Sequence, residues 1–367
     1  MPLFSPADCP RLVVKIGSAL LVSDDGQVRS DWLRGIAAEI GERTRDGQQV
    51  AIVSSGAIAL GARRLGLAKG GRASLEDAQA AAATGQIALS QAWAEALAAE
   101  GLGAAQMLVT LDDLEDRRRY LNAAATLHRL LSLDVVPVIN ENDSVATAEI
   151  RFGDNDRLAA RVAQAARAHG VLLLSDVDGL YDRDPSLPGA RHVPVVERID
   201  GTIAAMAGRG SSSGMGSGGM VSKIEAARIA ASAGVALAIA SGRVARPLSV
   251  DAPHTLFVPE RQARARKAWL TGLLTARGAI HVDAGAAQAL AGGASLLAAG
   301  ALRVEGSFGR GDMVTIVSGE QPVARGLSEY DCADAARIVG IKSDAQAEIL
   351  GYAPRSALVH RNHLVLI

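Results

Sequence analysis

Between residues 11 and 260 the chain alternates short blocks of Val, Ile and Leu with longer stretches whose apolar residues recur every three or four positions. The blocks are LVVKIG (12–17), QVAIVSS (49–55), AQMLVT (105–110), VVPVIN (135–140), VLLLSD (171–176) and ALAIASG (236–242). Continuous apolar runs, rather than strict alternation, predict strands covered on both faces. The stretches between them predict helices over 30–46, 57–65, 75–100, 116–132, 156–168 and 220–233. Strand and helix in alternation define an α/β fold, a three-layer αβα sandwich around a mainly parallel sheet. Nearly every strand block ends in small or polar residues. Ligands of open α/β sheets bind beyond the carboxyl ends of the strands, so the chemistry is expected there.

After residue 260 the texture changes. RQARARKAW is a basic connector, and HVDAGAAQALAGG, ALRVEGSFGRGDMVTIVSG and ALVHRNHLVLI read as short β runs separated by glycine turns. The expected division is a catalytic domain over 1–260, a linker over 261–275 and a small β-rich domain over 276–367. A length of 367 residues suits two domains better than one core.

Composition narrows the classes of partner. Thirty-eight basic against thirty-nine acidic residues leave a net charge of −1, with no overall polyanion-binding signature. Residues 276–367 hold eight Lys or Arg and nine Asp or Glu, so the tail also lacks the basic footprint of an RNA-binding surface. Cys9 and Cys332 are the only cysteines and form no metal-ligand spacing, which fits a reducing compartment. There is no secretory leader pattern and no apolar run of ~20 residues, so a cytoplasmic, membrane-free protein is expected. Arginine supplies most of the positive charge. Only Lys15, Lys69, Lys223, Lys267 and Lys342 are lysines, and two of them fall in motifs that carry candidate chemistry.

One of these is Lys223, in GMGSGGMVSKIEAA (214–227). A Walker loop places lysine directly after its last glycine, whereas Met-Val-Ser separates Gly219 from Lys223 here. The lysine belongs to the first turns of the following helix. Backbone amides of Gly216 to Gly219 and the helix N-terminus suit a polyphosphate; a flexible surface loop is the alternative. The other is Lys15, in VVKIGS (13–18), between Val14 and Ile16 and just before Gly17 and Ser18. It either snorkels to the surface or serves a buried site. Ser54, Ser55 and Gly56 open a third turn, which reads either as a carboxylate site at a helix N-terminus or as ordinary serine capping.

The densest polar stretch follows the fourth strand block. VINENDSVATAEIRFGDNDRLAA (138–160) gathers Asn140, Glu141, Asn142, Asp143, Glu149, Asp154, Asn155 and Asp156 between a strand and a helix. It lacks the glycine and distal glutamate of an EF-hand. Its carboxylates suit an ammonium group or lysines. Ser175 and Asp176, in LLLSDVDGLYDRDP (172–185), end another strand, where they suit ribose hydroxyls or metal-bound water, or simply a turn.

In order, VVKIGS, VSSGAIALG, AAQMLVT, EDRRRYLNA, VPVINENDSVATAEIRFGDNDRLAA, LLLSDVDGLYDRDP and GMGSGGMVSKIEAA resemble the amino acid kinase family over practically the whole chain, with residues from about 276 similar to a PUA domain. INENDSVATAEI with GDND points within the family to a glutamate acceptor. The resemblance implies transfer of the ATP γ-phosphoryl group to the side-chain carboxylate of L-glutamate, the first step towards proline, with ATP and Mg²⁺ as cofactors. It implies catalytic roles for Lys15, Lys223 and Asp156. It assigns nucleotide binding to Lys15, Ser175, Asp176, Ser217, Gly218, Gly219, Met220, Val221, Ser222 and Lys223, and glutamate binding to Ser55, Asp143 and Asn155. No metal ligand is assigned. Serines 18, 54, 217 and 222 stand where the family carries threonine, and the hydroxyl survives each change. A homo-oligomer, tetramer rather than dimer, a glutamyl phosphate reductase as partner and feedback by proline are also implied. The alternatives are a sibling kinase with another acceptor and an RNA-binding role for the tail.

Overall fold

The computed structural model describes residues 3–145, 154–207, 219–249, 252–259 and 276–367, and divides into two units, Met1–Gln262 and Ala263–Ile367. The expected linker, 261–275, lies outside the described residues, as do Ser217 and Gly218.

The strands of the first unit are β1 (Arg11–Ile16), β2 (Gln49–Ser54), β3 (Gly103–Val109), β4 (Val135–Glu141), β5 (Gly170–Ser175), β6 (Leu180–Tyr181), β7 (His192–Val193), β8 (Val195–Val196), β9 (Ala236–Ser241) and β10 (His254–Phe257). Eight of them form one sheet in the order β3-β4-β2-β1-β5-β9-β10-β8, while β6 and β7 pair apart as a small hairpin. From β3 to β9 every pairing is parallel; β10 runs antiparallel to β9. The six expected blocks are the six parallel strands, to within two residues at their ends. Strands β10 and β8, at one end of the sheet, went unread because two to four residues carry too little apolar periodicity.

Helices α1 (Ser18–Leu21), α2 (Ser30–Arg45), α3 (Ala57–Arg64), α4 (Leu75–Ala98), α5 (Leu111–Glu115), α6 (Arg117–Ser132), α7 (Asn155–Ala166), α8 (Gly201–Ala207) and α9 (Met220–Ser232) complete the described part of the unit. The even-numbered residues of β1, Leu12, Val14 and Ile16, pack with Leu33, Ile36 and Ile40 of α2 and Leu89, Trp93 and Leu97 of α4. On the other layer α7 packs on β1 and β5, and α9 on β9. Because strand side chains alternate between faces, odd-numbered Lys15 is aimed at the α7 and α9 layer. Side-chain caps fix several helix starts: Ser74 for α4, Asp116 for α6 and Asp154 for α7 each accept from a backbone N–H three residues on.

Helices α3 and α4 cross at backbone contact. A Cβ on Gly85 would land on the Ala57 carbonyl, and one on Gly61 on the Ala81 carbonyl. Backbone cannot retreat as a flexible side chain can. Gly85→Ala is expected to cost about 3 kcal/mol, the upper range for overpacking; a urea midpoint unchanged from wild type would show that the helices separate freely.

The second unit is a five-stranded sheet in the order β12-β11-β13-β14-β15, from β11 (Gly278–Val282), β12 (Ala301–Gly306), β13 (Met313–Ser318), β14 (Gln321–Ser328) and β15 (Val359–Leu366). It carries three short helices, α10 (Ala284–Ala291), α11 (Cys332–Ile338) and α12 (Ser343–Leu350). This corrects the reading of HVDAGAAQALAGG as β. Asp283 caps AGAAQALA by accepting from the Ala286 N–H, and alanine-rich sequence then favours helix. The unit has its own core around Ile280, Phe308, Val314, Ile316, Tyr330 and Leu358.

Candidate active site

Beyond the carboxyl ends of β1, β2, β4 and β5, and against the N-termini of α7 and α9, the chain buries an unusual set of charges. Asp156, in the first turn of α7, is 1% exposed. Lys15 reaches one of its carboxylate oxygens, Nζ to Oδ1 2.6 Å, and Lys223 the other, Nζ to Oδ2 3.0 Å. Lys15 is held between Val53 of β2 and Leu173 of β5 in the sheet register, so it cannot swing out as a snorkelling surface lysine would. Lys223 enters from α9, four residues past the N-cap Gly219. Three groups far apart in sequence thus meet at one carboxylate.

Two ammonium groups share one carboxylate, which leaves an excess positive charge in a buried space. Burial alone would raise the Asp156 carboxyl, yet the two lysines hold it below its ordinary value. Burial pushes Lys15 down, and repulsion from Lys223 adds to this while Asp156 opposes it. Asp154 lies nearby but is engaged elsewhere, accepting from the Ser222 hydroxyl and from the Arg157 backbone N–H. A Cβ added to Gly17 would stand 4.0 Å from Lys15 Nζ, so the glycine keeps open the space in front of that ammonium.

Two of the helices that open onto this space have no side-chain cap: α3 starts at Gly56 and α9 at Gly219. The capping use of Ser55 is therefore not realised. Gly56 has φ +106°, a conformation that glycine adopts without strain, and a Cβ there would crowd Val22. Uncapped first turns leave backbone N–H groups free for an anion.

Ser55, Asn140, Asp143 and Asn155 form the neighbouring part of the site. Asn155 Nδ2 donates to Ser55 Oγ (2.8 Å), to the Ser54 carbonyl (3.2 Å) and to Asn140 Oδ1 (3.2 Å). Asp143 is 6% exposed, and its Oδ1 has no hydrogen-bond partner among the described residues. Burial raises its pKa to about 6, with the Arg72 guanidinium opposing the rise. Ionising it at neutral pH therefore works against the fold. The stability gained by keeping it protonated is fully present below the unfolded value of ~3.9 and is lost as pH rises through about 6. A buried carboxylate kept at such a cost awaits a cation.

Ser175 and Asp176 stand at the end of β5, where the Ser175 hydroxyl donates to Asp176 Oδ1 at 3.1 Å. Met220, Val221 and Ser222 form the first turn of α9, with Val221 exposed and Ser222 joined to Asp154. Two residues of α4 were not read from sequence. Trp93 Nε1 donates to Ser54 Oγ at 2.9 Å, and Gln86 Oε1 accepts from Asn140 Nδ2 at 2.7 Å. The available signal was a glutamine on the apolar face of α4, in line with Ala82, Leu89 and Trp93. No group of three His, Cys, Asp or Glu able to hold a metal occurs among the described residues.

The fold agrees with the comparisons to known proteins. The sequence pattern of the amino acid kinase family matches residues 10–241, and that of the PUA domain residues 278–350. The chain belongs to the amino acid kinase family. It is 74% identical to the glutamate 5-kinase of Sphingopyxis alaskensis over the full length of both chains. It is 61% identical to the glutamate 5-kinase of Novosphingobium aromaticivorans, covering 100% of this chain and 98% of that protein. The glutamate 5-kinase of Zymomonas mobilis is 60% identical over 100% of this chain and 93% of its own.

Proposed function

We propose that the chain transfers the γ-phosphoryl group of ATP to the side-chain carboxylate of L-glutamate, giving L-glutamyl 5-phosphate and ADP, the first step of proline biosynthesis. The observation that carries this reading is the buried Lys15–Asp156–Lys223 bridge with its excess of positive charge. The acceptor carboxylate, with a reference pKa of ~4.3, is already ionised at neutral pH and needs no general base. The barrier is the approach of one anion to another. Lys15 and Lys223, fixed by Asp156, neutralise charge on the transferring phosphoryl oxygens, and the first turn of α9 offers backbone amides to the phosphates.

The nucleotide occupies the side formed by Ser175, Asp176 and the first turn of α9, and glutamate the side formed by Ser55, Asp143 and Asn155. Asp143 pairs with the α-ammonium, and the uncapped start of α3 suits the α-carboxylate. Both Asp156 oxygens are engaged by lysines, so the donor set fits a Mg²⁺ ion carried on the nucleotide phosphates rather than one caged by protein. Mg²⁺ then supplies charge neutralisation between phosphates. The reading extends to a cytoplasmic homotetramer, hand-over of the reactive acyl phosphate to a glutamyl phosphate reductase, and inhibition by proline.

ADP release with glutamate, N-acetylglutamate, aspartate and UMP as acceptors tests the assignment. Glutamate is expected to exceed the others by at least ~10², because a site that leaves buried polar groups unpaired rejects an analogue strongly; comparable turnover of any other acceptor would reassign the chain within its family.

The Asp143 assignment makes a pH prediction. Protonated Asp143 cannot pair with an ammonium, so kcat/KM for glutamate is expected to fall about tenfold per pH unit once pH drops below about 6. Bound ammonium favours the ionised carboxylate, so kcat at saturating glutamate should hold to lower pH. Asp143→Asn should weaken glutamate binding and remove this limb. A limb that persists in the variant belongs to another group.

A further inference from the structure

We infer that Gln86, on the inner face of α4, is a positioning residue for acceptor recognition: through Asn140 it fixes the Asn155 amide so that Oδ1 is presented to the acceptor's α-ammonium. The inference rests on the glutamate reading above and goes beyond it, since Gln86 touches neither substrate.

The polarity of this chain of amides is set by backbone groups that have no choice of role. The Glu141 N–H can only donate, and the Asn140 atom 2.9 Å from it must be Oδ1. Asn140 Nδ2 therefore points the other way, to Gln86 Oε1 at 2.7 Å. At the far end the Ser54 carbonyl can only accept, so the Asn155 atom facing it is Nδ2. That nitrogen also meets Asn140 Oδ1 and Ser55 Oγ. What remains is Asn155 Oδ1, a buried acceptor with no hydrogen-bond partner among the described residues. A buried acceptor of this kind is costly unless a donor arrives. With Asp143 Oδ1 in the same condition, an ammonium satisfies both.

Gln86 closes the Asn140 end of this relay with a side chain. It is anchored in turn, its Nε2 lying 3.3 Å from Ser90 Oγ one helical turn on. Neighbouring Gly85 brings α4 to the backbone of α3 directly behind Ser55. Without an acceptor at position 86, Asn140 Nδ2 has no partner in the relay, and Asn140 and Asn155 are free to tilt together.

The test compares Gln86→Met, which keeps length but removes the acceptor, with Gln86→Glu, which keeps an acceptor towards Asn140. Gln86→Asn, too short to reach Asn140, serves as a second loss variant should the methionine fail to fold. Both loss variants are expected to raise the KM for glutamate about tenfold, the cost of one buried unmet hydrogen bond. The kcat, the KM for ATP and the competitive Ki of glutarate, which lacks the ammonium, should stay within about twofold, and Gln86→Glu should restore most of the glutamate affinity. An unchanged glutamate KM beside normal wild-type turnover overturns this inference alone. Equal weakening of glutarate and glutamate also overturns it, since that marks general damage to the pocket. A wild-type chain with no glutamate turnover overturns the acceptor reading itself, and this inference with it.

Discussion

Lys223→Ala is expected to lower kcat by ~10² or more while the protein stays folded, the loss typical of removing a transition-state donor. The two lysines differ in setting. Lys15 is built into the middle of the sheet, whereas Lys223 stands on the second turn of α9. Truncating it leaves Asp156 still paired with Lys15. The excess positive charge disappears with Lys223, and with it the attraction for an incoming phosphoryl group. Binding of the rest of ATP is unaffected, so the loss should appear in kcat more than in KM. Steady-state kinetics alongside a melting curve checks this; near-normal turnover would remove Lys223 from the mechanism.

The second large effect concerns Asp156→Asn. It leaves two buried ammonium groups without their shared counter-ion, which is the costly way to break a buried pair. A loss of about 3–5 kcal/mol is expected near neutral pH, and turnover should fall with it because Lys15 and Lys223 then repel each other out of position. The pH dependence is specific. Because Asp156 titrates below its ordinary value when folded, its contribution is fully present above the unfolded value of ~3.9 and is lost as pH falls through the folded one. The stability gap between wild type and variant should therefore close as Asp156 becomes protonated in acid. Urea unfolding at several pH values measures it, and a gap that closes near neutrality would mean that another group dominates.

The sheet was legible because its six parallel strands are buried on both faces and leave unbroken apolar runs. The helices were legible because their apolar residues recur every three or four positions, and side-chain caps at Ser74, Asp116 and Asp154 fix where three of them start. Lys15 stood out as a charge within such a run, and Lys223 as a lysine past a glycine loop. Their meeting on Asp156 followed only from the ordered set of motifs, since nothing local to GDND says which carboxylate turns inward. Gln86 and Trp93 were missed because their roles depend on how α4 crosses the sheet. AGAAQALA was misread because two-residue spacing of small residues does not separate a short helix from a strand, and its Asp283 cap was the better guide. Ser217 and Gly218 lie outside the described residues, so the glycine-rich run is described only from Gly219 onward.

The central claim is that two buried lysines on one aspartate bring a phosphoryl group to a glutamate carboxylate. Its most direct measurement is hydroxamate formation in the presence of hydroxylamine, which traps an acyl phosphate. Purified protein should form γ-glutamyl hydroxamate only when ATP, Mg²⁺ and L-glutamate are all present, with one ADP released for each hydroxamate. ATP hydrolysis without hydroxamate, or hydroxamate formed equally from another carboxylate, would contradict it.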